Sequence, residues 1–324
     1  MKDISLVRLL PMEPKVPFIS LRKIAAVLSI LALIASVFLF STRNLNYGID
    51  FTGGTVLEID TGAAPELDKI RPLLNGLGMG DMALQNIRPP LDSTVDHDFV
   101  RITIPLQPET EEDGAATQQI ALERVKETLR TEVSDFTVRN QGVVGSKVSG
   151  ELREKGILAI VLALGMVLLY IWFRFEWQFA VGAVLALFHD VLLTIGVFSL
   201  TQLEFNLSII AAILTIVGYS LNDTVIVYDR IRENLRKYKK MPLPDVLNLS
   251  INDTLSRTIL TSMTTLLALV ALYILGGEGL RGFSFAMIWG VFVGTYSSIF
   301  VASPLLLLLK LRRGVNTGNE EAVV

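Results

Sequence analysis

Apolar residues gather into six long stretches of this 324-residue chain, and between the first and second the pattern changes character. The stretches 24–41, 156–173, 179–200, 207–228, 259–275 and 285–309 are each long enough to cross a bilayer as a helix, which takes about 20 apolar residues. No small-x-small cleavage pattern follows Phe38-Leu39-Phe40, and five more apolar stretches come later, so the first reads as an anchor rather than a leader.

The intervening segment alternates instead. Residues 55–60 place apolar side chains at every second position, as a half-buried strand does. Residues 65–77 have helical spacing, opened by Pro65 and closed by Gly76, Gly78 and Gly80. Strands are expected at 82–87 and 99–104 across an Asp- and Pro-rich connection, 89–98, with a charged amphipathic helix at 115–132 and a last strand at 136–144. The order βαββαβ predicts a split, ferredoxin-like sandwich with helices on one sheet face. The expected fold is a polytopic α-helical membrane protein, six transmembrane helices forming half of a larger bundle, with an α+β domain over 42–155.

Composition agrees. Hydrophobic residues make up 51% and charged residues 19% of the chain, and the mean hydropathy is +0.51. Residues 44–154 hold 10 basic and 19 acidic side chains, whereas the remainder holds 19 and 13, so the acidic part belongs in water. The chain has no cysteine and two histidines, which leaves no thiolate site and little for a metal centre. No nucleophile–base pattern, phosphate-binding glycine loop or metal-ligand spacing occurs, so neither an enzyme nor a cofactor is expected, and nothing points to nucleic acid.

Basic residues in short loops set orientation. Lys2, Arg8, Lys15, Arg22 and Lys23 precede the first helix, and a basic cluster runs from Arg230 to Lys240. Lys310, Arg312 and Arg313 close the chain, while the connections 201–204 and 276–282 hold one basic residue, Arg281. Both termini (1–23 and 311–324) and a loop at 229–256 are therefore expected in the cytoplasm, with 42–155 outside.

Asp223 carries the most information. An acid near a membrane-helix centre costs about 2.5–3.5 kcal/mol on insertion scales, so it normally faces a partner or a water path. Thr215, Tyr219 and Asp223 recur every four residues and Ser220 stands one turn before the acid, with Asn222 beside it. Arg257 opens the next apolar stretch, followed by Thr261, Thr264 and Thr265. It reads either as the partner of Asp223 or as an interfacial anchor whose long side chain snorkels. His189-Asp190 sits on a stripe with Gly182, Ala186 and Thr194, and reads equally as a self-satisfied pair or a relay element. Interhelical hydrogen bonding is expected of the threonines, and close helix contact of Gly290 and Gly294. Gly53-Gly54 suits a tight turn, a hinge, or both.

The run Gly48-Ile49-Asp50-Phe51-Thr52-Gly53-Gly54 resembles the signature of the SecD/SecF family of preprotein translocase subunits, which belong to the RND superfamily. The run 218–223 (GYSLND), its continuation 229–234 (DRIREN), and 173–177, 186–190 and 256–258 resemble the SecF branch, so the likeness covers nearly the whole chain. The resemblance implies a SecD partner supplying six more helices, a SecY–SecE–SecG channel, SecA and YajC as associates, and preproteins as cargo in the bacterial inner membrane. It implies that Asp223 relays protons with Arg257, so that the proton gradient drives late translocation and release on the periplasmic side. His189, Asp190, Tyr219, Ser220 and Asn222 are candidates for relay or packing support, and Gly48, Asp50, Phe51, Gly53 and Gly54 for the signature and hinge. The rival reading is a proton-driven exporter of small molecules or lipids, for which the small acidic outer domain is poorly suited.

Overall fold

The computed structural model describes residues 14–62, 65–87, 95–108, 114–133, 136–309 and 311. Six of its helical segments are long and apolar enough to cross a membrane. They comprise α1 (Arg22–Arg43), α5 (Ser146–Arg174), α6 (Trp177–Thr201), α7 (Leu207–Lys237), α8 (Leu243–Leu275), and a last span built from α9 (Gly277–Ser297), a π turn (Ser298–Ala302) and α10 (Ser303–Leu308). The π turn has a local cause. Pro304 has no N–H to continue the α-helical ladder, and Ser303 Oγ takes up the Ser298 carbonyl at 2.8 Å.

Between α1 and α5 lie a short strand β1 (Asn46–Tyr47), a single helical turn α2 (Ile49–Thr52), and the outer domain. That domain runs β2 (Gly54–Asp60), α3 (Leu67–Asn75), β3 (Ala83–Ile87), β4 (Phe99–Ile104), α4 (Gly114–Glu132) and β5 (Thr137–Val144), the element order the alternation predicts. The sheet order is β3-β4-β2-β5, and every neighbouring pair is antiparallel. One face is packed by the helices: Leu57, Ile59 and Ile102 meet Ile70, Leu74, Leu122 and Leu129 in a single buried cluster. The other face carries the cross-strand pair Glu58 and Arg101 and looks toward the membrane bundle.

One expected loop is largely absent. The loop expected over 229–256 shrinks to 238–242, because α7 runs on to Lys237 and α8 starts at Leu243. Its charges hide a helical period: Ile231, Val246, Leu247 and Ile251 are fully buried, and Ile231, Leu247 and Ile251 share one cluster that joins the two extensions. Asn234 and Arg230 add hydrogen bonds to Asp253, at 3.0 and 2.8 Å. The stretch before the second membrane helix is helix from Ser146 onward, so α5 is one rod from the outer domain into the bundle. Of the basic residues used for orientation, Lys2, Arg8, Lys310, Arg312 and Arg313 lie outside the described residues, as does most of the connection 89–98.

The bundle closes on itself. Tyr296 Oη on α9 donates to the Ala25 carbonyl on α1 at 3.0 Å and lies 2.9 Å from Ser29 Oγ. Phe18, just before α1, meets Phe300 in the π turn with ring centroids 5.7 Å apart. Gly196 on α6 abuts Ser36 on α1 with no space for a Cβ.

Candidate functional site

Asp223 lies near the middle of α7 and is 1% exposed, and neither carboxylate oxygen has a hydrogen-bond partner among the described residues. Burying a charged or polar group without compensation is costly, so this position is one that stability alone does not favour. Arg257, on α8, acts on Asp223 electrostatically but forms no ion pair with it, and its side chain is exposed on the chain's surface. The neighbouring Thr258 hydroxyl is buried and likewise without a partner. Tyr219, one turn before the acid, donates to Ser262 Oγ on α8 at 3.4 Å, and Ser262 lies 2.8 Å from Thr295 Oγ1 on α9. That strand of contacts joins three helices one turn away from Asp223.

Asp190 forms a second buried polar centre. Its Oδ2 accepts hydrogen bonds from Ser220 Oγ (2.5 Å) on α7 and Ser297 Oγ (2.7 Å) on α9, while Oδ1 lies 2.9 Å from His189 Nδ1. His189 stacks on Tyr296 at 6.0 Å between ring centroids, and its Nε2 has no partner among the described residues. The carboxylate of α6 therefore ties α7 and α9 together, and Ser220 places it one turn from Asp223 on the same helix.

Close packing explains how Ser220 is held. A Cβ on Gly290 would overlap the Ile216 side chain, and one on Gly294 would stand 3.0 Å from Ser220 Cβ. The glycine pair thus seats α9 against α7, as its spacing predicts. Gly182 does the same for Tyr228, whose hydroxyl donates to the Ala302 carbonyl at 3.1 Å. The threonines behave otherwise than expected. Thr261, Thr264 and Thr265 donate to carbonyls of their own helix at 2.9–3.0 Å, as does Thr215 on α7 at 2.8 Å, so among the described residues they bridge no helices. A hydroxyl within reach of the carbonyl four residues back finds that acceptor without needing a second helix. Thr215, Gly218 and Asn222 on α7 are exposed, as are Arg257 and Thr264 on α8, so Asn222 faces away from the buried acid.

The signature residues form a packed joint. β1 pairs in parallel with β6 (Glu204–Phe205), just before α7, and Phe51 packs against Phe205 at 6.0 Å. Gly53 and Gly54 have φ of 70° and 121°, and a Cβ on Gly54 would stand 2.5 Å from the Ile104 carbonyl oxygen. Both glycines are thus required by a tight turn into β2. Sequence reading missed Ser297, Tyr296, Ser262, Glu204 and Arg101, although Ser297 does follow Gly290 and Gly294 on one helical face.

Six membrane-length helices, an α+β domain set between the first two, and an unpartnered acid buried in the fourth span define a polytopic transport-type membrane protein. The family model described as "Protein export membrane protein SecD/SecF, C-terminal" matches residues 124–312, and the SecD/SecF GG motif model matches 38–64. The protein translocase subunit SecF of Rhodobacter capsulatus is 47% identical over 291 residues, covering 88% of this chain and 86% of the relative. The one from Cereibacter sphaeroides is 45% identical, covering 95% and 93%. The crystal structure of SecDF, a translocon-associated membrane protein from Thermus thermophilus, superposes with a TM-score of 0.80 at 36% identity. That match covers 94% of this chain and 40% of the SecDF chain. The chain belongs to the SecD/SecF family.

Proposed function

We propose that this protein is the SecF-type half of a proton-driven preprotein translocation unit in the bacterial inner membrane. Its helices pair with those of a SecD-type subunit, and the two work beside the SecY–SecE–SecG channel, SecA and YajC. Both termini lie in the cytoplasm and the outer domain in the periplasm, in keeping with the basic residues near the ends of the spans. The observation that carries this reading is Asp223, fully buried with two unpartnered oxygens inside a membrane helix. The SecDF chain of Thermus thermophilus is more than twice as long as the part this chain matches, which supports a partner of comparable size here.

Asp223 takes up a proton from one side and gives it up to the other, with Arg257 free to approach and leave because no ion pair holds it. Each proton falling through 100 mV supplies about 2.3 kcal/mol, enough to bias two helix arrangements by nearly two decades. The work is delivered late, as preprotein is drawn out and released at the periplasmic face. The test is preprotein release from membrane vesicles with and without a proton gradient. Asp223→Asn should abolish stimulation by the gradient while association with the partner persists. Normal stimulation in that variant would remove the relay assignment.

A further inference from the structure

The first residue of α7 is held from far away in the chain. Asp50 Oδ2 accepts a hydrogen bond from the Leu207 backbone N–H at 2.9 Å. The leading N–H groups of a helix have no partner within it, and α7's own cap residue, Asn206, makes no side-chain cap bond. Asn206 Oδ1 is occupied instead by Ser208 Oγ at 2.6 Å. The cap therefore comes from the signature segment.

The residues leading into α7 are gripped from the same side. Phe205 accepts from the Gly48 N–H at 2.9 Å, and a Cβ on Gly48 would stand 2.6 Å from Glu204 Oε1. Arg101, on the open face of the sheet, reaches Glu204 at 3.3 Å while Glu58 fixes its guanidinium through bonds of 2.7 and 3.0 Å. Glu58, Arg101 and Glu204, with Asp50, line a cavity of about 390 Å³ between the sheet and the bundle. The polypeptide carrying Asp50 enters β2 directly through the tightly packed Gly53-Gly54 turn.

We propose that Asp50 is the positioning residue that caps the Asp223-bearing helix from outside, so that α7 and the outer domain move as one body. The inference rests on the relay reading above. It assigns Asp50 a hydrogen-bonding role in which its charge is not required, and it makes the signature a clamp instead of a hinge. A displacement of α7 along its axis then reaches β2 through one side-chain bond and a two-residue strand pair, with the Arg101–Glu204 contact steadying the sheet.

The test uses the full chain with its SecD-type partner in vesicles and compares Asp50→Ala with Asp50→Asn. An asparagine oxygen accepts the same N–H and caps helices as well as aspartate does. Asp50→Ala should lose most of the gradient-stimulated preprotein release and keep ATP-driven translocation, while Asp50→Asn should resemble the unaltered protein. Amide exchange over 203–210 should rise about fivefold in Asp50→Ala, as loss of a cap implies, and stay unchanged in Asp50→Asn. Faster exchange with full gradient stimulation would make the cap purely local and overturn the proposal. Loss of stimulation in Asp50→Asn with unchanged exchange would overturn it too, because charge and not capping would be at work. Should Asp223→Asn keep normal stimulation, the relay reading falls separately; unchanged exchange in Asp50→Ala would then still overturn the cap.

Discussion

Gly294 on α9 lies so close to Ser220 on α7 that a Cβ added to the glycine would stand 3.0 Å from the serine's Cβ. The approach brings Ser297, one turn on, within 2.7 Å of Asp190, the same carboxylate that Ser220 reaches at 2.5 Å. Helix packing and the buried polar network are thus one arrangement, and its geometry can be tested from the apolar side.

Gly290→Ala forces a methyl into the Ile216 side chain and should destabilise the bundle by about 1–3 kcal/mol, the usual range for overpacking. Ile216→Ala costs its own burial, since Ile216 is buried, but it also removes the obstructing atoms, so the double variant should lose less than the sum of the two single losses. Thermal unfolding of the detergent-solubilised protein reads all three variants. If the two losses simply add, the close approach of α7 and α9 is wrong.

Gly54→Ala should unsettle the outer domain more than Gly62→Ala. Both glycines have positive φ, at 121° and 70°, but a Cβ on Gly54 meets the Ile104 carbonyl oxygen at 2.5 Å whereas Gly62 has open space around it. Backbone strain of this kind costs about 1–3 kcal/mol at either site, and the clash adds to it at Gly54. Protease resistance of the outer domain measures the difference; equal behaviour would show that the turn has room to relax.

The outer domain should lose stability in acid through Asp60. Its carboxyl is held below the ordinary value of 3.8, first by the hydrogen bond to His97 at 2.7 Å, and also by the Gly62 N–H and the charges of His97 and Arg139. A lowered folded-state pKa gives stability that is complete above the unfolded value and disappears as the pH falls through the folded one. Exchange protection of β2 should therefore fall below pH 3.8 in the unaltered protein, with Asp60→Asn weaker at neutral pH and flatter in acid. Parallel acid profiles would assign the loss to other carboxylates.

Arg257→Ala should reduce gradient-stimulated release far more than Lys240→Ala, and Arg257→Lys should fall between them. The lysine keeps the charge but not the planar fork. Both basic residues are exposed on this chain, so equal effects would make Arg257 an interfacial anchor.

The helices were legible because a run of some 20 apolar residues has few other meanings, and Asp223 because it interrupts one of them. The α7–α8 extension was not, since Ile231, Val246 and Ile251 follow a helical period among charges that a hydropathy reading averages away. Asp190 was visible, yet its partner Ser297 is 107 residues distant and no local pattern links them. The threonines share one face of their helix, which points to helix contacts, but each hydroxyl reaches a carbonyl of its own helix first. At 48–54 the glycines fit a tight turn, a hinge, or both, and spacing alone does not choose; the positive φ of Gly53 and Gly54 in a packed segment fits the turn.

The hydrogen bond from Tyr296 to the Ala25 carbonyl spans 271 residues and has a consequence for biosynthesis. At about 5–20 residues per second, the first helix waits on the order of half a minute before the segment that completes its packing leaves the ribosome. During that interval α1 lacks Tyr296 and Phe300, and even the α6 surface that abuts Ser36 is not yet made for much of it. Its many exposed apolar side chains, Ile24, Leu28, Leu31 and Phe38 among them, suit a helix that must first reside alone in lipid. The nascent chain is thus lodged in the bilayer early, and the ring of helices shuts only when its last turn arrives.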